Sequence, residues 1–500
     1  MRLEDFPLGI LKNLVPKPGG KLVYRCLNCK KEYSIEKLLY TCPECKEVLL
    51  IHDLQFKRLK KIEASQWKEI FDYRRMLNIP AFKGIYRYHE FIGPVMPENA
   101  IVYLGEAHTP IVKANLPLME RVGLEFYFKN DGQNPSASFK DRGMASALSY
   151  INYLVKTGLL SEVLAICAST GDTSAAAALY AAYLTPNIKS AVLLPHKKVT
   201  PQQLSQPLGN GAKVFEIPGV FDDCMKVVEF LADNYNVALL NSKNAWRILG
   251  QESYSYEIAQ DFDYDLKNKV IFVPIGNAGN ITAVMNGFLK FYEVGIIDTL
   301  PKIIGVQSVH ADPVFQYYKE ENPKKRKFVP VTVKPSVAQA AMIGNPVSMP
   351  RVIHLADLYN KKSEKQNVFV VAVEEQDIMD WQLTANRSGH IVCTHGGESL
   401  AGLIKAKSMG LVKDNETAIL DSTAHMLKFS GFQDQYFENK FPPEYEVVPK
   451  PEFKNLPTLV KPDNLEKFPE PGKPLHGKDF NKFVKLTTKE IAQALDLKQK

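Results

Sequence analysis

The stretch PIGNAGNITAVMNGF, residues 274–288, decides the fold. It runs from the end of an apolar, β-branched segment through a glycine-rich loop into a helical sequence. A strand feeding a helix in this way is the unit from which parallel sheets are built. The loop has a second consequence. Gly276 and Gly279 let backbone amides face one point, and the following helix lends its positive N-terminus. That combination is a phosphate cradle. Its glycine spacing is not the three-glycine pattern of a dinucleotide site.

The same texture extends on both sides. Short apolar runs, VLAICAS (163–169), KSAVLLP (189–195), AKVFEIP (212–218), KIIGVQS (302–308), NVFVVAV (367–373) and TAILDST (417–423), alternate with helical stretches such as TSAAAALYAAYL and FDDCMKVVEFLADNY. Alternation over roughly 340 residues exceeds one ordinary sheet, so the expectation is two parallel-sheet α/β domains with a ligand cleft between them. The two-domain body is placed at 51–440, with a small domain inserted at about 145–235.

A second strand-to-helix junction, ASTGDTSAAAALYAAY, carries Ser169, Thr170 and Thr173 around Gly171. An ordinary N-cap accounts for one hydroxyl, not for three with a glycine among them. Such a loop holds a carboxylate or phosphate at the helix start. A third stretch, NPSASFKDRG (134–143), sets Lys140 between Phe139 and the charged pair Asp141 and Arg142. A surface lysine needs no such setting, whereas an amine nucleophile works only when neutral and positioned. One special lysine, one phosphate cradle and one anion loop together suit a cofactor carrying both an aldehyde and a phosphate, which is pyridoxal phosphate.

In this order SFKDRG, STGDTSAAA and GNAGN resemble the threonine synthases, a family of the tryptophan-synthase-β-like, fold type II pyridoxal-phosphate enzymes. NSKNAWRILGQ (241–251) is similar to that family's substrate-phosphate segment, and DSTAHMLK (421–428) to its junction near the pyridine ring. The resemblance covers roughly residues 20–435. It implies conversion of O-phospho-L-homoserine and water to L-threonine and phosphate, by γ-elimination and β-addition of water. It implies that Lys140 carries the cofactor as a Schiff base and then serves as acid and base, with Phe139 beside it. Gly276, Asn277, Ala278, Gly279 and Asn280 would hold the cofactor phosphate. Asp172 would face the 3-hydroxyl and Thr423 the pyridine nitrogen. Ser169, Thr170, Thr173, Asn241, Ser242 and Arg247 would grip the substrate. Burial and the cation of Arg142 are expected to lower the pKa of Lys140. CTHGGESLAGL (393–403) departs from the family pattern, and no role is assigned to Cys393, Thr394 or His395.

The same scaffold also serves cysteate synthases, acting on O-phosphoserine with sulfite, and serine/threonine dehydratases. NSKNAWR favours a phosphorylated substrate over a dehydratase and leaves homoserine and serine both open.

Residues 1–50 hold two Cys-x2-Cys pairs, Cys26 with Cys29 and Cys42 with Cys45. Four thiolates at this spacing suit a structural, zinc-ribbon-like site, because four protein ligands leave no open position for catalysis. The other three of the seven cysteines are scattered, which is not a secreted disulfide framework. A net charge of +7 over 500 residues fits an anionic small molecule and does not point to nucleic acid. A nucleic-acid-binding ribbon, permitted by Arg25, Lys30, Lys31, Lys37 and Lys46, is opposed by the intact lysine and anion loops. No secretory start and no membrane-length apolar run are present, so the expected setting is cytoplasmic. Residues 441–500, rich in proline and lysine, read as an extended arm ending in a short helix capped by Thr487. Such an arm could wrap a partner subunit, as in a homodimer.

Overall fold

The computed structural model describes residues 1–499 except 162, 170, 197–200 and 220. Near the N-terminus, β1 (Leu22–Cys26), β2 (Glu32–Ser34) and β3 (Leu49–Asp53) form an antiparallel sheet in the order β2-β1-β3. Two strands of the body follow, β4 (Ile111–Lys113) and β5 (Phe126–Lys129). Next come β6 (Val163–Ala168), β7 (Ile188–Pro195), β8 (Lys213–Ile217) and β9 (Val237–Leu239). The last four are β10 (Lys269–Pro274), β11 (Lys302–Ser308), β12 (Val368–Val373) and β13 (Thr417–Asp421).

The body contains two sheets. The larger has the order β12-β11-β10-β13-β5-β4, and the smaller, β8-β7-β6-β9, is inserted between β5 and β10. Every pair in the smaller sheet is parallel. The larger sheet departs from the expectation at one edge, where β4 runs antiparallel to β5. Only a seven-residue helix, Leu116–Val122, lies between those strands, too little for the crossover that a parallel pair requires.

Parallel strands are covered by helices on both faces, so they read as continuous apolar runs. Val270, Ile271, Phe272 and Val273 of β10 are all fully buried. The covering layer lies close. A Cβ added at Gly402, in the helix Thr394–Ser408, would stand 2.4 Å from Cγ2 of Val306 in β11, so glycine sets that spacing.

Two compact units divide the chain. One comprises Met1–Gln433 and Phe441–Val448, the other Asp434–Lys440 and Pro449–Lys500. The second unit contains the helix Gly477–Ala494. This corrects the reading of Thr487 as a helix cap, since the helix starts ten residues earlier at Gly477. Phe480, Val484 and Ile491 continue an apolar stripe at helical spacing across Thr487, which overrides its capping preference. Among the described residues no helix is long and apolar enough to cross a membrane.

Candidate active site

Lys140 is the first residue of the helix Lys140–Lys156. The approach to it is tied to the end of β13: the Phe139 amide donates to the Thr423 carbonyl at 2.8 Å, and Ser138 pairs with Ala424. The lysine therefore emerges at the carboxyl edge of the large sheet, where open α/β sheets bind ligands. A second helix, Ala245–Gln251, packs against the first through glycines. A Cβ at Gly250 would lie 2.2 Å from the Arg142 carbonyl, and one at Gly143 would lie 3.1 Å from the Arg247 carbonyl. This close packing brings Arg247 to the lysine.

Withdrawal from solvent, followed by the positive charge of Arg247, lowers the pKa of Lys140 to about 7. Asp172 and Asp421 oppose that shift, and Lys428 adds to it. The sequence expectation named burial correctly but the wrong cation. Arg142 points the other way, making paired hydrogen bonds of 2.7–2.8 Å to Asp131 and to Glu257. Lys140 stands two helical positions before it, about 200° around the helix, and so faces a different direction.

Arg247 is buried, and its Nη1 donates to the Leu240 carbonyl at 2.7 Å. Its Nε has no partner among the described residues. Burial pulls its pKa down to about 10. A buried guanidinium without a carboxylate is costly unless an anion joins it, so this side of the pocket is built for one.

The anion loop is organised differently from a simple row of hydroxyls. Ser169 Oγ accepts from the amides of Gly171 (3.2 Å) and Ser174 (3.3 Å), capping its own helix, Asp172–Tyr183. Asn241 binds Ala168 with both ends of its amide, at 2.7 and 3.0 Å, and so fixes the loop after β9 to the end of β6. Thr173 and Ser242 line the same cavity, and Thr170 lies outside the described residues. Asp172 meets Lys428 at 3.0 Å, and Lys428 also donates to the Ser136 carbonyl at 2.8 Å. Sequence reasoning quoted the segment containing Lys428 without assigning it. Its signal was a lysine just past the strand end that carries Thr423.

In the loop after β10 the left-handed residue is Ala278, with φ 61°, rather than either glycine. The two glycines instead permit close approach. A Cβ at Gly276 would stand 3.0 Å from Ala341 Cα, and one at Gly279 would stand 3.0 Å from Ile248 Cδ1. A left-handed residue leading into a helix forms a concave nest of amides, and the first-turn amides of the helix Gly279–Val294 have no partner within it. Asn280 also donates through Nδ2 to Asp421 at 2.7 Å.

His395, unassigned from sequence, lines the pocket. Its Nε2 accepts from the Ala340 amide at 3.1 Å, and its ring meets Phe429 edge-on. Burial lowers its pKa to about 4, which keeps it the neutral acceptor that this contact needs. Cys393 is buried 3.9 Å from Thr423 Oγ1, and burial raises its thiol to about 11.

Phe139, Lys140, Ser169, Asp172, Thr173, Asn241, Ser242, Arg247, the run 276–280 and Thr423 all border one cavity of about 1410 Å³. An amine of lowered pKa at one end and an amide nest closed to side chains at the other fit the aldehyde and phosphate of pyridoxal phosphate.

The four N-terminal cysteines form a separate cluster, with all Sγ atoms within 4.8 Å of one another. The residue after each pair, Lys30 and Lys46, is left-handed (φ 61° and 62°), so both pairs sit in the same type of knuckle. Sγ separations of 3.4 Å (Cys26 to Cys45) and 3.6 Å (Cys29 to Cys42) approach the roughly 3.8 Å edge of a tetrahedron with Zn–S bonds of about 2.3 Å. The donor set fits structural zinc. Elemental analysis should find about one zinc per chain, lost in Cys42→Ser with a fall in melting temperature. A zinc-free wild type of unchanged melting temperature would contradict this assignment.

Comparison with known proteins agrees with this geometry. A family profile described as "Pyridoxal-phosphate dependent enzyme" matches residues 102–422. A threonine synthase of Methanocaldococcus jannaschii is 36% identical over 409 residues, covering 81% of this chain and 93% of that one. The chloroplastic threonine synthase 2 of Arabidopsis thaliana is 33% identical, covering 81% and 76%. The crystal structure of threonine synthase from Escherichia coli superposes with a TM-score of 0.62 at 19% identity, covering 85% of this chain and 94% of that one. The chain belongs to the family of pyridoxal-phosphate-dependent enzymes that includes the threonine synthases.

Proposed function

We propose that the protein is a threonine synthase, which converts O-phospho-L-homoserine and water to L-threonine and phosphate. The single observation that carries this reading is the juxtaposition, in one cavity, of a lysine with pKa about 7 and a buried arginine that lacks a carboxylate partner. The relatives matched over most of their length support the same activity.

Pyridoxal phosphate, when bound, supplies an electron sink for negative charge left at the substrate's Cα. The chain supplies the rest. The amides of 276–280 would seat the cofactor phosphate. Lys140 Nζ, close to half neutral near pH 7, takes the Cα proton and returns protons at later positions. Arg247 holds the substrate phosphate and then the departing phosphate, as a planar, always-charged donor suits. Asn241 keeps the 241–243 loop in place through both ends of its amide, and its second Nδ2 hydrogen remains to donate to substrate. Asp172 and Lys428 form an ion pair on the cavity wall, where Asp172 would face the cofactor's 3-hydroxyl. Thr423 would offer a hydroxyl to the cofactor's pyridine nitrogen, and a hydroxyl there, rather than a carboxylate, would favour an unprotonated nitrogen and a more moderate sink.

Arg247→Ala is expected to raise KM for O-phosphohomoserine by roughly 10- to 100-fold, the worth of a charge-assisted hydrogen bond. Arg247→Lys should not restore it, since an ammonium cannot reproduce the planar fork. Steady-state kinetics of phosphate release test both. The reading itself is tested by offering O-phosphohomoserine and O-phosphoserine in parallel and identifying products. Threonine from the first supports it, and turnover confined to O-phosphoserine with sulfite overturns it.

A further inference from the structure

The four-cysteine ribbon is not a detached appendage. Three of its residues, Thr41, Lys46 and Val48, border the active-site cavity. Two sets of contacts hold it there. Tyr40 Oη accepts from the Leu239 amide of β9 at 2.9 Å. Arg351, fully buried, donates to the Leu49 carbonyl of β3 at 2.7 Å. The same guanidinium donates to the carbonyls of Ser242 (2.9 Å) and Lys243 (3.0 Å). One arginine therefore pins the second knuckle of the ribbon against the loop that carries Ser242.

Charge balance in the pocket adds a second argument. A phosphomonoester carries about −1.5 to −2 charges near neutrality, whereas Arg247 contributes one positive charge. Most other cations on the wall are engaged. Lys243 pairs with Glu229 at 2.6 Å and Lys428 with Asp172 at 3.0 Å. Lys226, on the helix Phe221–Asn234, makes no side-chain hydrogen bond or ion pair among the described residues, and it stands one turn from Glu229, whose charge offsets its own. Lys46 makes no side-chain hydrogen bond or ion pair among the described residues. Its backbone is fixed: it is left-handed, with φ 62°, and its amide donates to the Cys42 carbonyl at 2.9 Å. The knuckle thus presents an uncommitted ammonium from a rigid turn.

We propose that the cysteine ribbon forms one wall of the substrate pocket and that Lys46 supplies the second positive charge for the substrate's phosphate. This inference rests on the proposed use of a phosphorylated substrate. Arg351 is a positioning residue in it, acting through the ribbon and the 242–243 loop.

The test uses the full-length holoenzyme and inorganic phosphate as the probe, by equilibrium dialysis at low salt. Lys46→Ala and Lys46→Asn (the latter suited to a left-handed backbone) should weaken phosphate binding about fivefold, the effect of one partly solvated charge. Lys46→Arg should retain it. KM for O-phosphohomoserine should rise in parallel, with a smaller change in kcat, and added salt should shrink the difference. Unchanged phosphate binding in both Lys46→Ala and Lys46→Asn, at normal zinc content and melting temperature, would overturn the proposal. So would an effect found in Lys226→Ala instead. If wild-type protein binds phosphate through Lys46 but turns over no O-phosphohomoserine, the functional reading fails and this assignment stands.

Discussion

Lys140→Ala is expected to lower threonine formation by about 10⁴-fold, the scale of a lost general base that is also the covalent attachment point. Purified variant should lack the yellow colour of lysine-linked cofactor and keep its melting temperature. The reason lies in the surroundings of the side chain. Burial and Arg247 hold its pKa at about 7, against 10.5 for an ordinary lysine. The neutral form, which attacks an aldehyde, predominates above about pH 7, so reconstitution of apoenzyme with pyridoxal phosphate should accelerate as pH rises through that value. In Arg247→Ala the acceleration should move to higher pH, because a cation that disfavoured protonation is gone. Stopped-flow absorbance measures both. A profile centred near 10 in wild type would contradict the account.

The second large effect concerns stability. Arg142→Ala should cost about 3–5 kcal/mol, because it strands the Asp131 carboxylate in the interior and leaves Glu257 with Lys129 as its one remaining cation among the described residues. Burial by itself pushes the Glu257 carboxyl up, but Arg142 and Lys129 together pull it well below the usual range. Its folded pKa is thus depressed. The corresponding stability is present above about 4.5 and is lost as pH falls below it. Urea titrations of holoenzyme at pH 7 and pH 4 should show wild type losing stability on acidification, with a shallower loss in Arg142→Ala. Equal midpoints for the two proteins at pH 7 would contradict this role.

The fold was legible where the chain spells out long strands. Each of the apolar runs quoted at the outset forms a strand; apart from the edge strand β8, whose residues stay exposed or partly exposed, burial on both faces of a parallel sheet demands such uninterrupted apolar residues. Short strands were not legible. β9 has three residues and β5 four, too short for a strand period to be read from them. Much of the pocket wall could be read too, since its strand-to-helix loops carry the glycines and hydroxyls that anion chemistry needs. What could not be read was direction. Nothing in SFKDRG tells whether Arg142 faces the lysine two positions before it, and the structure turns Arg142 toward Asp131 while Arg247, over a hundred positions later, reaches the lysine. Arg351 was invisible for a similar reason. Its partners are carbonyls of Leu49, Ser242 and Lys243, which leave no mark in side-chain sequence.

The most direct measurement is turnover of O-phospho-L-homoserine in ¹⁸O-labelled water, with mass analysis of both products. Elimination followed by water addition breaks the carbon–oxygen bond and builds a new one from solvent. The account predicts threonine labelled at its β-hydroxyl and phosphate released without label. Homoserine with labelled phosphate would mean simple phosphoester hydrolysis and would contradict the central claim.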